Sequence, residues 1–165
     1  MVLYPDLYVK NVIEISNEML NKNQIKGLLL DVDNTLLYYD RTRVNGLDEW
    51  IKNKKNEGIK LCILSNTNKK DKVQSLANDL DIPFIYFAKK PLKSGFKRAQ
   101  KILNLEPNYI GVVGDQIFTD ILGANRMNMK SILTKPLEER DIFITKIKRP
   151  LEEYIIRCYL KKRGN

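Results

Sequence analysis

Asp31 and Asp33 stand two residues apart in the stretch Asp31-Val32-Asp33-Asn34-Thr35-Leu36, directly after the apolar run Leu28-Leu29-Leu30. Two carboxylates at the end of a buried strand are costly unless an ion or an anionic reactant compensates them. Side chains alternate along a strand, so both would share a face if the strand continued that far. One carboxylate could then attack while the other moves a proton, and a hard cation could hold both. The competing interpretation is ordinary turn chemistry, because Asp and Asn also end strands.

Three further groups repeat this arrangement of an apolar run ending in reactive side chains. Leu61-Cys62-Ile63-Leu64 leads into Ser65, whose small hydroxyl could donate to a phosphoryl oxygen. Ser65 could equally serve only as a cap, and Asn68 is the expected N-cap of a helix opening at Lys69 and Lys70. Phe87-Ala88-Lys89-Lys90-Pro91 supplies lysines, and a lysine near two aspartates offsets their repulsion and can clamp a phosphate. Pro91 fixes the chain after Lys90, which makes Lys90 better positioned than its neighbours, with Lys93 as the alternative. Ile110-Gly111-Val112-Val113-Gly114 ends in Asp115, a natural oxygen ligand for Mg²⁺. Gly114 suits a close backbone approach. Asp120 falls in the first turn of the next expected helix, where the helix dipole alone would also favour an acid.

The elements that must position these groups alternate along the chain. Strands are expected at 26–31, 59–64, 84–87, 109–113 and 130–133, and helices at about 46–57, 69–79, 93–104 and 118–127. Alternation of this kind predicts an α/β fold, a parallel sheet between two helical layers, with ligands at the carboxyl ends of the strands. The chain of 165 residues is expected to form one domain over 1–165. Its core would cover about 25–135, preceded by an arm at 1–24 and followed by a basic helix at about 150–165. Pro150 is the expected start of that helix, with Leu151, Tyr154, Ile155, Cys158 and Tyr159 on one face and Lys161-Lys162-Arg163 at its end. Such a helix either packs on the sheet or lies in an anionic membrane interface.

Composition excludes several chemistries. The chain has no histidine, so Ser-His-Asp and Cys-His catalysis and histidine metal sites are ruled out. Two cysteines make neither a zinc site nor, in a reducing compartment, an expected disulfide. At 43% hydrophobic residues the sequence can build a core, and no apolar run is long enough to span a membrane. The stretch Met1–Asp6 lacks a basic-then-apolar leader pattern, so the expected location is cytoplasmic, with a peripheral position on the inner face of the membrane as the alternative. The net charge is +9, concentrated at 88–101, which has no acid, and at 144–165. Such fields attract phosphates, nucleic acid or anionic lipid head groups. No nucleic-acid motif or aromatic platform accompanies the charge, so a specific nucleic-acid partner is not expected.

Asp-x-Asp-x-Thr at 31–35, Ser65, Lys90-Pro91 and Gly114-Asp115-x-x-x-x-Asp120, in this order, resemble the haloacid dehalogenase (HAD) phosphatase superfamily. Finer features are similar to its type IIIA branch, the YqeG family. These are Pro5-Asp6-x-Tyr8-Val9 with Ile13, Lys89-Lys90-Pro91, and Gly114-Asp115-Gln116 running through Thr119-Asp120 to Gly123-Ala124-Asn125-Arg126. The resemblance implies a Rossmann-like HAD core. It implies Asp31 as nucleophile, Asp33 as acid and base, and Ser65 and Lys90 as holders of the phosphoryl oxygens. For Mg²⁺ it implies Asp31, Asp115 and the backbone carbonyl of Asp33, with Asp120 as a further metal residue. The substrate it implies is phosphatidylglycerophosphate, a phosphorylated lipid reached at an anionic membrane surface. The intervals between motifs are filled by one helix and one strand each, so no cap domain is expected and the site should be open. Phosphatases of protein, nucleic-acid ends or small sugars are alternatives. So is a receiver-like phospho-acceptor module, although Asp33 and the motif order count against it.

Overall fold

In the computed structural model, residues 2–138 and 143–163 are described, with only the backbone of 143–149 and of the last two. Among the described residues six strands form one wholly parallel sheet: β1 (Leu7–Val9), β2 (Gly27–Leu30), β3 (Lys60–Leu64), β4 (Phe84–Ile85), β5 (Ile110–Gly114) and β6 (Lys130–Thr134). Their order across the sheet is β1-β6-β5-β2-β3-β4. After β1 at one edge, the chain enters the centre of the sheet on β2, winds one way through β3 and β4, and then crosses back to β5 and to β6 beside β1. The reversal lies between β2 and β5, where a doubly wound sheet opens a crevice.

The period-two pattern of the strands divides the core. Leu28, Leu30, Leu61 and Ile63 point to one face, where they meet α2 (Leu47–Asn56) and α3 (Lys70–Leu80) through Leu47, Trp50, Val73 and Leu76. Leu29, Cys62, Leu64 and Val112 point to the other, under α4 (Lys93–Leu103) and α5 (Leu122–Arg126). The three layers follow from these short runs, and the sheet is buried on both faces as parallel sheets require. No inserted cap domain interrupts the motifs. Among the described residues no helix is long and apolar enough to cross a membrane.

The N-terminal arm is part of this architecture. Its β1 pairs with β6, a helix α1 (Asn17–Lys22) follows, and Val12 and Ile15 are fully buried. Asp6 Oδ2 accepts the Ser131 N–H at 2.8 Å, and the Trp50 indole donates to the Ile15 carbonyl at 3.0 Å.

Helix α6 (Phe143–Arg163) corrects the expectation at the C-terminus. Pro150 lies inside the helix and does not begin it. The single apolar face is also divided. Ile155 is buried against Ile117, Ile121 and Leu133, and the buried Tyr159 ring meets Tyr4 edge to face, whereas Leu151 and Tyr154 are exposed. The helix packs on the β6 side of the sheet, and its spacing of apolar residues was broad enough to serve two directions. Residues 164–165 of the expected basic tail lie outside the described residues, as do the side chains of Lys146, Lys148 and Arg149.

Candidate active site

Asp31 follows β2 directly, and its N–H donates to the Val113 carbonyl at 2.9 Å, which fixes it between β2 and β5 at the crevice. The chain then turns sharply: the N–H groups of Thr35, Leu36 and Leu37 all donate to the Val32 carbonyl. Asn34 takes a left-handed conformation at φ 65°, which asparagine tolerates well. This turn separates the two aspartates. Asp31 is buried, while Asp33 is exposed at the rim.

Lys90 enters from the loop after β4. Its Nζ lies 2.6 Å from Asp31 Oδ1 and 2.6 Å from Asp120 Oδ1, with the lysine and Asp120 almost completely buried. Lys93, the alternative, is exposed in the first turn of α4. Two hydrogen bonds from Asn66 hold the Lys90 backbone: Lys90 N–H donates to Asn66 Oδ1 at 2.6 Å, and Asn66 Nδ2 donates to the Lys90 carbonyl at 3.1 Å. Burial alone would depress the ammonium, but Asp120 and Asp31 outweigh it and hold its pKa above the ordinary value.

Asp115 follows β5, and Asp120 sits in the single π-helical turn Ile117–Ile121 that precedes α5. A Cβ on Gly114 would lie 2.3 Å from the Asp120 carboxylate, so only glycine lets that side chain fold back against the strand. Oxygen atoms of Asp31, Asp115 and Asp120 lie within 4.8 Å of one another. Burial pushes the Asp120 carboxyl up to about 6, with Lys90 opposing and Asp31 adding to the rise. Asp115 is driven well above the usual carboxylate range by burial and by the charges of Asp31 and Asp120. Asp33 is also raised, first by partial burial and then by Asp31, against the pull of Arg41, Lys90 and Lys72.

This arrangement fits a divalent cation. Asp115 Oδ1 is buried with no hydrogen-bond partner, so a carboxylate oxygen there lacks the compensation that buried charge requires. Carboxylates are the ligands a hard cation takes. Asp120 has both oxygens engaged, one by Lys90 and the other by the Gln116 N–H at 3.3 Å.

Asp31, Lys90, Asp115 and Asp120 are thus brought together, and the Asp33 side chain stands outside the group. Ser65 is buried at the end of β3, adjacent to β2, where its Oγ accepts the Thr67 N–H at 3.3 Å and keeps its own proton to donate. Asn68 does not cap α3: the cap position is Lys69, without a side-chain bond, and the Lys69 N–H turns to Thr67 Oγ1 at 3.3 Å. Sequence reasoning missed three supports. Asn66 was hidden beside the more reactive Ser65. Asn34 donates to the Glu138 carbonyl at 3.0 Å and to Asp115 Oδ2 at 3.4 Å. Glu152 on α6 accepts the Ile117 N–H at 3.1 Å, and its charge is felt by Asp115. No local pattern announces a contact so distant in sequence.

Comparison with known proteins agrees with this geometry. Residues 1–138 match the family described as mitochondrial PGP phosphatase. The chain is 40% identical to the probable phosphatase YqeG of Bacillus subtilis (strain 168), over 98% of this chain and 93% of that protein. It is 27% identical to phosphatidylglycerophosphate phosphatase 1, chloroplastic/mitochondrial, of Arabidopsis thaliana, over 96% of this chain but only 48% of that longer protein. Among solved structures, 3-deoxy-D-manno-octulosonate 8-phosphate phosphatase from Yersinia pestis superposes with a TM-score of 0.53 at 14% identity, covering 90% of each chain. An uncharacterized protein from Listeria monocytogenes serotype 4b gives 0.58 at 19% identity, covering 72% of this chain and 85% of that one. This chain belongs to the mitochondrial PGP phosphatase family and is a YqeG-like phosphatase with a HAD-type fold.

Proposed function

We propose that the protein is a Mg²⁺-dependent phosphomonoesterase that works through an aspartyl-phosphate, with phosphatidylglycerophosphate as its substrate. The observation that carries the reading is the contact of Lys90 with both Asp31 and Asp120, beside the unpartnered Asp115 Oδ1. Such a site offers a carboxylate nucleophile, a fixed positive charge and a cation position within one crevice.

Asp31 attacks phosphorus with its carboxylate oxygen as the bond to the leaving oxygen breaks. Asp33 gives its proton to that oxygen, and its raised pKa keeps the proton available. Asp33 then takes a proton from water as the water attacks the aspartyl-phosphate, which frees inorganic phosphate and restores Asp31. Ser65 and Lys90 hold the phosphoryl oxygens. Asp31, Asp115 and the backbone carbonyl of Asp33 would hold Mg²⁺, and Asp120 keeps Lys90 in place within the same acidic group. The cation would neutralise the charge spread over the transferring phosphoryl group.

The lipid substrate rests on the family and on the Arabidopsis relative. The absence of a cap domain and the net charge of +9 support a bulky anionic substrate presented at the inner face of a membrane. Phosphate release should be measured on phosphatidylglycerophosphate in detergent micelles and on soluble phosphate esters, with EDTA and with added Mg²⁺. The expected outcome is faster release from the lipid, loss with EDTA and recovery with Mg²⁺. Asp115→Ala should raise the Mg²⁺ concentration required. Turnover of soluble esters alone would leave a phosphatase of another substrate.

A further inference from the structure

The loop that delivers Lys90 also carries an outward face with no part in the chemistry. Ala88 and Lys90 turn inward and are buried, whereas Phe87, Lys89 and Leu92 turn outward. Phe87 is 47% exposed and Leu92 is 53% exposed, two large apolar side chains within three residues of the site lysine. Phe87 holds φ 48°. A bulky residue in the left-handed region is uncommon and strained, so the fold over-determines its display.

The loop is also stiff. The Phe87 N–H donates to the Thr67 carbonyl at 2.8 Å, the Ala88 N–H to the Ser65 carbonyl at 2.9 Å, and the Leu92 N–H to the Lys89 carbonyl at 2.9 Å. Asn66 holds Lys90 from both sides. Behind the loop, a Cβ on Gly95 would lie 2.3 Å from the Ala88 carbonyl, so α4 is pressed directly against it. Apolar side chains on a rigid support need little ordering before they bind.

A cationic collar surrounds the pair. Lys89 Nζ lies 4.7 Å from the Phe87 ring centroid, and Lys89, Lys93, Arg98 and Arg126 are all exposed. Arg98 donates to the Phe87 carbonyl at 3.4 Å and Arg126 to the Pro91 carbonyl at 3.5 Å, so both guanidiniums belong to the loop. No acid occurs between 88 and 101. Protruding apolar residues within a ring of cations complement an interface with buried acyl chains below and anionic head groups above. A protein partner of ordinary mixed charge has no such layering.

We propose that Phe87 and Leu92 are a membrane wedge: they enter an anionic bilayer beside the Lys90 loop while Lys89, Lys93, Arg98 and Arg126 engage the head groups, which sets the mouth of the site against the lipid surface. The proposal deepens the lipid-phosphatase reading and rests on it only for the substrate. The outer face of α6, with Leu151, Tyr154 and Lys161, is a separate exposed patch and serves as the control.

The test uses the full chain and vesicles of equal parts phosphatidylglycerol and phosphatidylcholine, with pure phosphatidylcholine vesicles alongside. Phe87→Asn and Leu92→Ser suit their backbones, because Asn accepts the left-handed conformation and Leu92 occupies the N-cap of α4, where serine is favoured. The double variant should therefore fold, which a melting curve would verify. It should lose at least tenfold in partition to the mixed vesicles, with turnover of a soluble ester within about twofold of wild type. Tyr154→Ser should change neither. In a Phe87→Trp variant, emission should shift to the blue on adding mixed vesicles and not on adding pure phosphatidylcholine, against the constant background of buried Trp50.

Equal partition of wild type and double variant would overturn the proposal, as would binding without a blue shift, or loss with Tyr154→Ser alone. Wild type that ignores vesicles but self-associates through Phe87 and Leu92 would reassign the patch to a protein contact and also overturn it. Short-chain phosphatidylglycerophosphate dispersed as monomers separates the two readings. Turnover of it without vesicle binding removes the wedge and keeps the substrate. Wedge-dependent vesicle binding with no turnover of it does the reverse.

Discussion

On the floor of the site Lys90, Asp31 and Asp120 are buried and joined by two 2.6 Å contacts. At its rim Asp33, Arg41 and Lys72 are exposed, and among the described residues their side chains make no hydrogen bond or ion pair. The floor is tied to three separate strand ends, β2, the β4 loop and β5, so a change in one partner is felt by the others. The rim acts at a distance, through the charges of Arg41, Lys90 and Lys72 on Asp33. The contrast implies that floor residues couple activity to stability, whereas rim residues alter activity with little effect on the fold.

Asp31→Asn should have the largest effect on the floor. The amide keeps the shape of the side chain but cannot attack phosphorus, so turnover should fall by at least about a thousandfold. Far-UV circular dichroism should be unchanged. Near-normal turnover would remove Asp31 as nucleophile.

Lys90→Met tests whether the floor is coupled. Removing one partner of a buried ion pair leaves an uncompensated charge and costs about 3–5 kcal/mol. Urea unfolding should reveal a loss of that order together with lost activity. A variant as stable as wild type would break the contrast between floor and rim.

Asp33→Asn sharpens the same contrast from the rim. Loss of the general acid should cost about 10²–10⁴-fold with a poor leaving group and much less with p-nitrophenyl phosphate, whose leaving oxygen needs no proton. Stability should stay within about 0.5 kcal/mol, as for most exposed substitutions. Equal loss on both esters would exclude the acid role.

The floor was also the more legible region. Each of its residues ends or follows an apolar run, and burial of a strand writes such runs into the sequence. Strands 26–31, 59–64, 109–113 and 130–133 coincide with β2, β3, β5 and β6 to within a residue or two at each end. The three-residue β1 is too short for any periodicity, and its place at the sheet edge is set by Asp6 and Ser131, far apart in sequence. Asn34, Asn66 and Glu152 escaped notice for the same reason, since each acts on backbone that only the folded chain brings near. The π-helical turn at Ile117–Ile121 is likewise invisible locally, because tucking Asp120 behind Gly114 is what that part of the chain accommodates. The face of α6 was misjudged because apolar spacing alone does not say which side meets the sheet.

The smallest expected effect is a pH dependence of the metal-free protein. Asp120 is held at about 6 in the fold against an ordinary 3.8, and Asp115 is raised as well. Above the ordinary value the unfolded chain has released protons that the folded floor still keeps. Stability from these groups is therefore greatest at low pH and falls as pH rises through about 6. In EDTA the melting temperature should be higher near about pH 5 than near about pH 7.5, by on the order of 3–6 °C for a chain of this size. Other groups titrate over the same range, so the comparison is with Asp115→Asn, which removes one of the repelling charges and should flatten the slope. Saturating Mg²⁺ should stabilise wild type most at the higher pH, because the cation binds the ionised carboxylates, and should do little for the variant. Parallel slopes for the two proteins in EDTA would mean that the floor carries no such penalty and that the unpartnered Asp115 oxygen is tolerated without a cation.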